Sequence, residues 1–197
     1  DNIITAGTLD LKIGAGGAEA DADYTLLTAG ISNATPDDVI HSSDYASLKY
    51  SGTVTDNYLG VEIDAITNAG GTSTEPEVTA GDAGNAGDLD DFVKVGFWLD
   101  AGNNGTWDDG DYYLANDSSG WVARAGGSPA TVPLQLVNTF AEEIGTQYNI
   151  NADLANNETW RFYINWQFPN GTSTDNKCQG DTVDFDILLA VQQGDPS

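Results

Sequence analysis

Residues 100 to 111 read Asp-Ala-Gly-Asn-Asn-Gly-Thr-Trp-Asp-Asp-Gly-Asp, a run rich in hard oxygen donors. Calcium takes six to eight such ligands, and a twelve-residue loop supplies them from fixed positions around a glycine at position 6. On that frame Asp100 stands at position 1, Asn104 at 5, Gly105 at 6, Thr106 at 7, Asp108 at 9 and Asp111 at 12. Two positions depart from it. Gly102 replaces the usual Asp or Asn at position 3, and Asp111 is shorter than the usual glutamate and reaches less far for bidentate binding. Asp109 is a substitute donor beside it. The spacing points to calcium held by Asp100, Asn104, Thr106, Asp108 and Asp111. The other reading is a polar, glycine-rich hairpin loop that binds nothing.

Other chemistry is scarce. The single histidine, His41, cannot form the paired-histidine zinc motif, and a catalytic thiol at the single cysteine, Cys178, would have only His41 as partner. One cysteine also rules out an intramolecular disulfide. No nucleophile elbow, phosphate loop or dinucleotide fingerprint is present. Carboxylates are abundant enough to contain a glycosidase pair, but in such numbers they read as a solvated acidic face. No enzyme is expected. The five tryptophans raise a competing class, a secreted carbohydrate-binding sandwich with aromatic platforms. Trp98, Trp160 and Trp166 sit inside apolar strand patterns, which leaves Trp121 as the best platform.

The charge is extreme: 31 acidic residues against six Lys plus Arg, a net of −25 in 197 residues. Such self-repulsion needs salt or bound cations to screen it, and it excludes nucleic acid as a partner. High ionic strength and a calcium-supplied exterior both suit it. No apolar run reaches the eighteen residues of a membrane span. Five Asn-x-Ser/Thr sequons stand at Asn33, Asn104, Asn116, Asn157 and Asn170, which points to an exported glycoprotein. A chain numbered from Asp1 fits a matured form. If calcium is bound, Asn104 faces the ion and carries no glycan.

The elements that position these residues read as strands throughout. Ile3, Thr5, Gly7, Leu9, Leu11 and Ile13 alternate with polar positions, and Gly14-Ala15-Gly16-Gly17-Ala18 follows without the chemistry of a tight hairpin turn. Further strands are expected at 24–30, 39–41, 45–50, 58–66, 92–100, 112–114, 121–124, 134–137, 148–152, 159–168 and 182–192. Residues 67–88 lose periodicity and read as an acidic surface excursion. Residues 139–144 could hold one helical turn. Many short strands with Gly, Asn and Asp turns and no amphipathic helix give an all-β class, a jelly-roll-like antiparallel β-sandwich.

Three stretches carry a resemblance. Thr5-Ala6-Gly7-Thr8-Leu9-Asp10-Leu11 resembles the opening of the TasA/camelysin family of exported biofilm-fibre proteins, which the archaeal bundling pilins resemble in turn. Lys49-Tyr50-Ser51-Gly52-Thr53-Val54 is similar to that family's short stretch leading into a strand. Gln179-Gly180-Asp181-Thr182-Val183-Asp184-Phe185, with Gln192 or Gln193 after it, is similar to its close. Cys178 stands where the family would have a small residue, and the 67–88 excursion has no counterpart. Camelysin's protease label does not transfer to a chain without a histidine pair.

The resemblance implies a homopolymer: an extracellular filament, of the bundling pilus kind, in which the N-terminal strand of one subunit completes the next and which supports biofilm or cell–cell adhesion. Its parts would be a donor strand at 1–13 with Ile3, Ile4, Leu9, Leu11 and Ile13 at the subunit interface, a flexible linker at 14–23, and the sandwich at 24–197. A shorter donor, 1–5, stays open beside 1–13. Neighbouring filaments, bridged by cations across their acidic surfaces, are the second partner. A type IV pilin is excluded for want of a long apolar N-terminal helix.

Overall fold

The computed structural model describes residues 9–16, 18–20, 39–41, 45–55, 57–70, 81, 87, 89–115, 120–139, 147–150, 154–167 and 181–193. Its elements are, in chain order, β1 (Leu11–Gly14), β2 (Val39–His41), β3 (Ala46–Tyr50), β4 (Asn57–Ala69), a 3₁₀ turn (Leu89–Asp91), β5 (Lys94–Asp100), β6 (Tyr112–Leu114), β7 (Trp121–Ala123), β8 (Gln135–Leu136), β9 (Gln147–Ile150), β10 (Thr159–Gln167) and β11 (Thr182–Gln193). All pairings are antiparallel. One sheet runs β1-β3-β10-β5-β6-β7, with β2 also on β10 and β8 also on β5; the other runs β11-β4-β9. The all-β sandwich expected from the sequence is the observed architecture.

β10 is the spine of the larger sheet, bonded to β3 and β2 on one side and to β5 on the other. Its alternation does the sorting. Trp160, Phe162, Ile164 and Trp166 enter the core between the sheets, where they meet Val95, Phe97 and Leu99 of β5. The Phe97 and Phe162 rings stack at 6.2 Å, and Tyr112 stacks on Trp160 at 5.6 Å. Burying each such side chain contributes about 1.5–3 kcal/mol, so this seam organises the molecule. The smaller sheet closes over it with Leu59, Ile150, Val183, Ile187, Leu189 and Val191.

β11 shows the period-2 pattern. Val183, Ile187, Leu189 and Val191 face inward, while Thr182, Asp184, Asp186, Leu188 and Ala190 are exposed. Asp186 pairs with Ala65 and Ile187 with Ile63, so β4 carries one extra residue, Asp64, at a bulge. β4 also runs beyond the expected strand, because Thr67, Asn68 and Ala69 pair with Asp184, Val183 and Thr182. The first residues expected in the excursion are therefore strand, while 71–80, 82–86 and 88 lie outside the described residues. Tertiary pairing at 67–69 overrides a weak local pattern.

The opening segment differs from its expectation in one respect. Leu11–Gly14 pairs with β3, and Ile13 exchanges two further hydrogen bonds with Ala20 at 3.1 and 3.0 Å. The small-residue run expected as a linker turns back on itself, closed by Ala18 N–H donating to Ala15 O at 2.8 Å. Glycine is what permits this, since a Cβ at Gly14 would lie 2.8 Å from Ala18 O. The expected strand at 24–30 and the rest of the run, 21–23, lie outside the described residues. Of the helical turn expected at 139–144, only Thr139 is described, within a 3₁₀ stretch.

Candidate metal centre at the β5–β6 loop

Leu99 pairs with Tyr112 and Trp98 with Tyr113, so residues 100 to 111 are the hairpin loop joining β5 to β6. The ladder fixes Asp100 and Asp111 at its two feet. Both are fully buried, at 0% exposure. Asp100 accepts hydrogen bonds from Asn104 N–H at 3.1 Å and Gly105 N–H at 2.7 Å. Asp111 accepts from Ala101 N–H at 3.1 Å and Asp108 N–H at 2.8 Å. Asp100 thus holds the first half of the loop's backbone, and Asp111 ties the end of the loop back to its start. Asn103, Gly105 and Gly110 take the left-handed φ values of 53°, 77° and 102° that the winding requires.

The remaining expected ligands lie further out. Asn104 Nδ2 donates to Asp108 Oδ2 at 2.8 Å, and Asn104 Oδ1 accepts from Thr106 N–H at 2.7 Å. Asn104 and Thr106 are exposed. Asp109, the substitute donor, turns away and accepts from Gly127 N–H at 2.9 Å, with Arg124 3.9 Å distant. Among the described residues no three carboxylates converge on one point. The donor chemistry nevertheless fits a hard cation. Two carboxylates are fully buried at the loop's base, and neither is in an ion pair among the described residues.

Burial raises the Asp111 pKa from its ordinary 3.8 to about 6; hydrogen bonds from Asp108 and Ala101 oppose this, and the charges of Asp100 and Asp108 reinforce it. A buried carboxylate so placed is stabilised by any cation that replaces its lost hydration.

Beneath the loop, on the outer face of the larger sheet, lies a second and smaller core of Trp98, Val132 and Tyr163, with Tyr45, Trp107 and Tyr113 around it. Trp98 and Tyr163 stack at 4.3 Å, and Trp107 meets Trp98 edge-on at 5.6 Å. Two basic side chains secure the assembly. Arg124 donates to Trp107 O at 2.8 Å and to Pro129 O at 3.0 Å. Arg161 lies over the Tyr45 ring at 4.6 Å and packs under the loop, where a Cβ at Gly105 would come within 3.0 Å of its Nη1. Sequence reasoning missed both arginines. The outward register of Arg161 on β10 was the one signal that could have found it.

The other candidates are placed as follows. Leu9 is 37% exposed, and Leu11 and Ile13 are partly buried against the core. Ile3 and Ile4 lie outside the described residues, as do the sequons at Asn33, Asn116 and Asn170. Asn104 and Asn157 are exposed. Trp121, the best remaining platform for the competing carbohydrate-binding reading, is a correction: it is only 8% exposed and meets Phe162 edge-on at 6.4 Å. Its place on the inner face of β7 turns it into the core. No helix among the described residues is long and apolar enough to cross a membrane. Comparison with family models gives no match to this chain, and comparison with curated proteins gives none either.

Proposed function

We propose that this chain is a structural subunit of an extracellular, bundling filament that supports biofilm or cell–cell adhesion. Subunits of this jelly-roll-like sandwich join head to tail by strand donation. The observation that carries the reading is β11: twelve residues long, paired only with β4 among the described residues, with Leu188 49% exposed on its outer face. A long edge strand presents a row of free backbone donors and acceptors, which an extended segment of another copy satisfies. Head-to-tail addition makes an open fibre rather than a closed ring. Because Leu11–Gly14 is bonded to β3 within its own chain, the donated segment is assigned to the residues ahead of β1, with Ile3 and Ile4 as its anchors. This segment contains the shorter donor weighed from the sequence, 1–5, and excludes the last part of the longer one, 1–13.

Calcium belongs to the same reading. Asp100, Asn104, Thr106, Asp108 and Asp111 would hold it, and the ion would add to the positive charge that Arg161 places near Asp100. The net charge of −25 supports a further role for cations, bridging the acidic surfaces of neighbouring filaments. Electron microscopy of the chain beside a version lacking residues 1–8 tests the assembly: fibres from the first and dispersed particles from the second are expected. Fibres from both would overturn donation by this segment.

A further inference from the structure

Asn157 occupies the exposed turn that delivers the chain into β10, within Asn157-Glu158-Thr159. Its φ of 68° is left-handed, a conformation asparagine tolerates better than most residues. The turn is well tied, but not by this side chain. Asn157 N–H donates to Tyr50 O at 2.9 Å, Tyr50 N–H to Glu158 O at 3.0 Å, and Glu158 N–H to Ala155 O at 2.8 Å. The Glu158 carboxylate accepts from Trp160 Nε1 at 3.0 Å. Among the described residues the Asn157 amide has no hydrogen-bond partner, so a substituent on its nitrogen displaces nothing.

The other exposed sequon is in the opposite state. Both ends of the Asn104 amide are engaged, its nitrogen on Asp108 Oδ2 and its oxygen on Thr106 N–H. Thr106 is itself the hydroxyl residue of that sequon. A glycan on Asn104 replaces one of the nitrogen's hydrogens with a bulky group and disturbs a loop on which both buried carboxylates depend.

We infer that Asn157 carries an N-linked glycan and that Asn104 does not. The transfer joins the Asn157 amide nitrogen to the anomeric carbon of a lipid-diphosphate-linked oligosaccharide. The carbon–oxygen bond to the diphosphate breaks, the lipid diphosphate leaves with that electron pair, and the amide nitrogen loses one proton. The inference rests on the export part of the proposed function and not on polymerisation.

The test is glycopeptide mass spectrometry of the protein recovered from the cell surface and medium of its native host. A glycan mass on the Asn157 peptide and an unmodified Asn104 peptide are expected. Thr159→Ala should lose that mass and Thr159→Ser retain it. Asn157→Gly should lose it while keeping the left-handed turn. A bare Asn157 on exported protein, or a glycan on Asn104, would overturn the inference. Protein confined to the cell interior would instead overturn the export reading and this inference with it.

Discussion

Asp100 and Asp111 stand at the two feet of one hairpin loop, both wholly buried, and each accepts hydrogen bonds from two of that loop's backbone N–H groups. Two negative charges are therefore confined at one end of the β5–β6 ladder. Neither has an ion-pair partner among the described residues. The consequences for stability can be measured.

In the metal-free protein, Asp111 holds its proton up to about pH 6 instead of its ordinary 3.8, chiefly through burial. The folded form then binds that proton more tightly than the unfolded chain. Ionising the group costs stability as pH rises toward and through about 6, and the cost vanishes below about pH 4. Relative to Asp111→Asn, the wild-type unfolding free energy should fall by ~1–3 kcal/mol from pH 4 to pH 7. Urea denaturation of both proteins at fixed ionic strength, with chelator present, reads this. A difference that stays flat with pH would contradict it.

Calcium should reverse the penalty. An ion at a hundred times its dissociation constant adds about 2.7 kcal/mol to a folded state that alone binds it. Thermal melting should shift upward with calcium in the wild type, and the shift should be lost in Asp100→Asn and in Asp111→Asn. Equal melting of the wild type in calcium and in chelator would count against the ion.

The two glycines of β5 and its loop should separate by mechanism. A Cβ at Gly96 would lie 2.5 Å from Pro133 O, a backbone atom that cannot move aside cheaply. At Gly110 nothing lies within 4 Å, and the penalty is confined to its φ of 102°. Gly96→Ala should therefore destabilise by roughly 2–4 kcal/mol and Gly110→Ala by about 1–2 kcal/mol. Chemical denaturation of the two variants decides the order; equal losses would refute the close-approach argument.

Much of this architecture was legible because its strands bury one face. The alternation in 92–100 put Val95, Phe97 and Leu99 opposite Trp98, as the two cores do. Tyr112–Leu114 was read with its observed bounds. What periodicity cannot carry is contact between distant segments. The pairing of Thr67–Ala69 with β11 and the return of Ala20 onto Ile13 depend on partners, not on local pattern. The loop was legible as a glycine-rich hairpin connection because its turn residues are local. Its arginine supports were not, since Arg124 and Arg161 reach it from other strands. Trp121 was misplaced for a related reason: a three-residue strand has too short a period to reveal which face it buries.

The edge of β11 yields a prediction independent of the donor's identity. Leu188 is 49% exposed on the outer face and packs little in the single chain. Replacing it with Lys should change the stability of dispersed subunits by less than about 0.5 kcal/mol. The same charge placed beside an incoming strand should weaken fibre formation. Light scattering compared with denaturation separates the two effects, and fibres of unchanged yield would argue that this face is not part of the contact.

The most direct measurement is amide hydrogen exchange along Thr182–Gln193, compared between assembled fibres and the dispersed chain lacking residues 1–8. If β11 receives the leading segment of a second copy, its outward-facing amides should be strongly protected in the fibre and exchange rapidly in the truncated chain. Fibres in which those amides exchange as fast as in the dispersed chain would contradict the account.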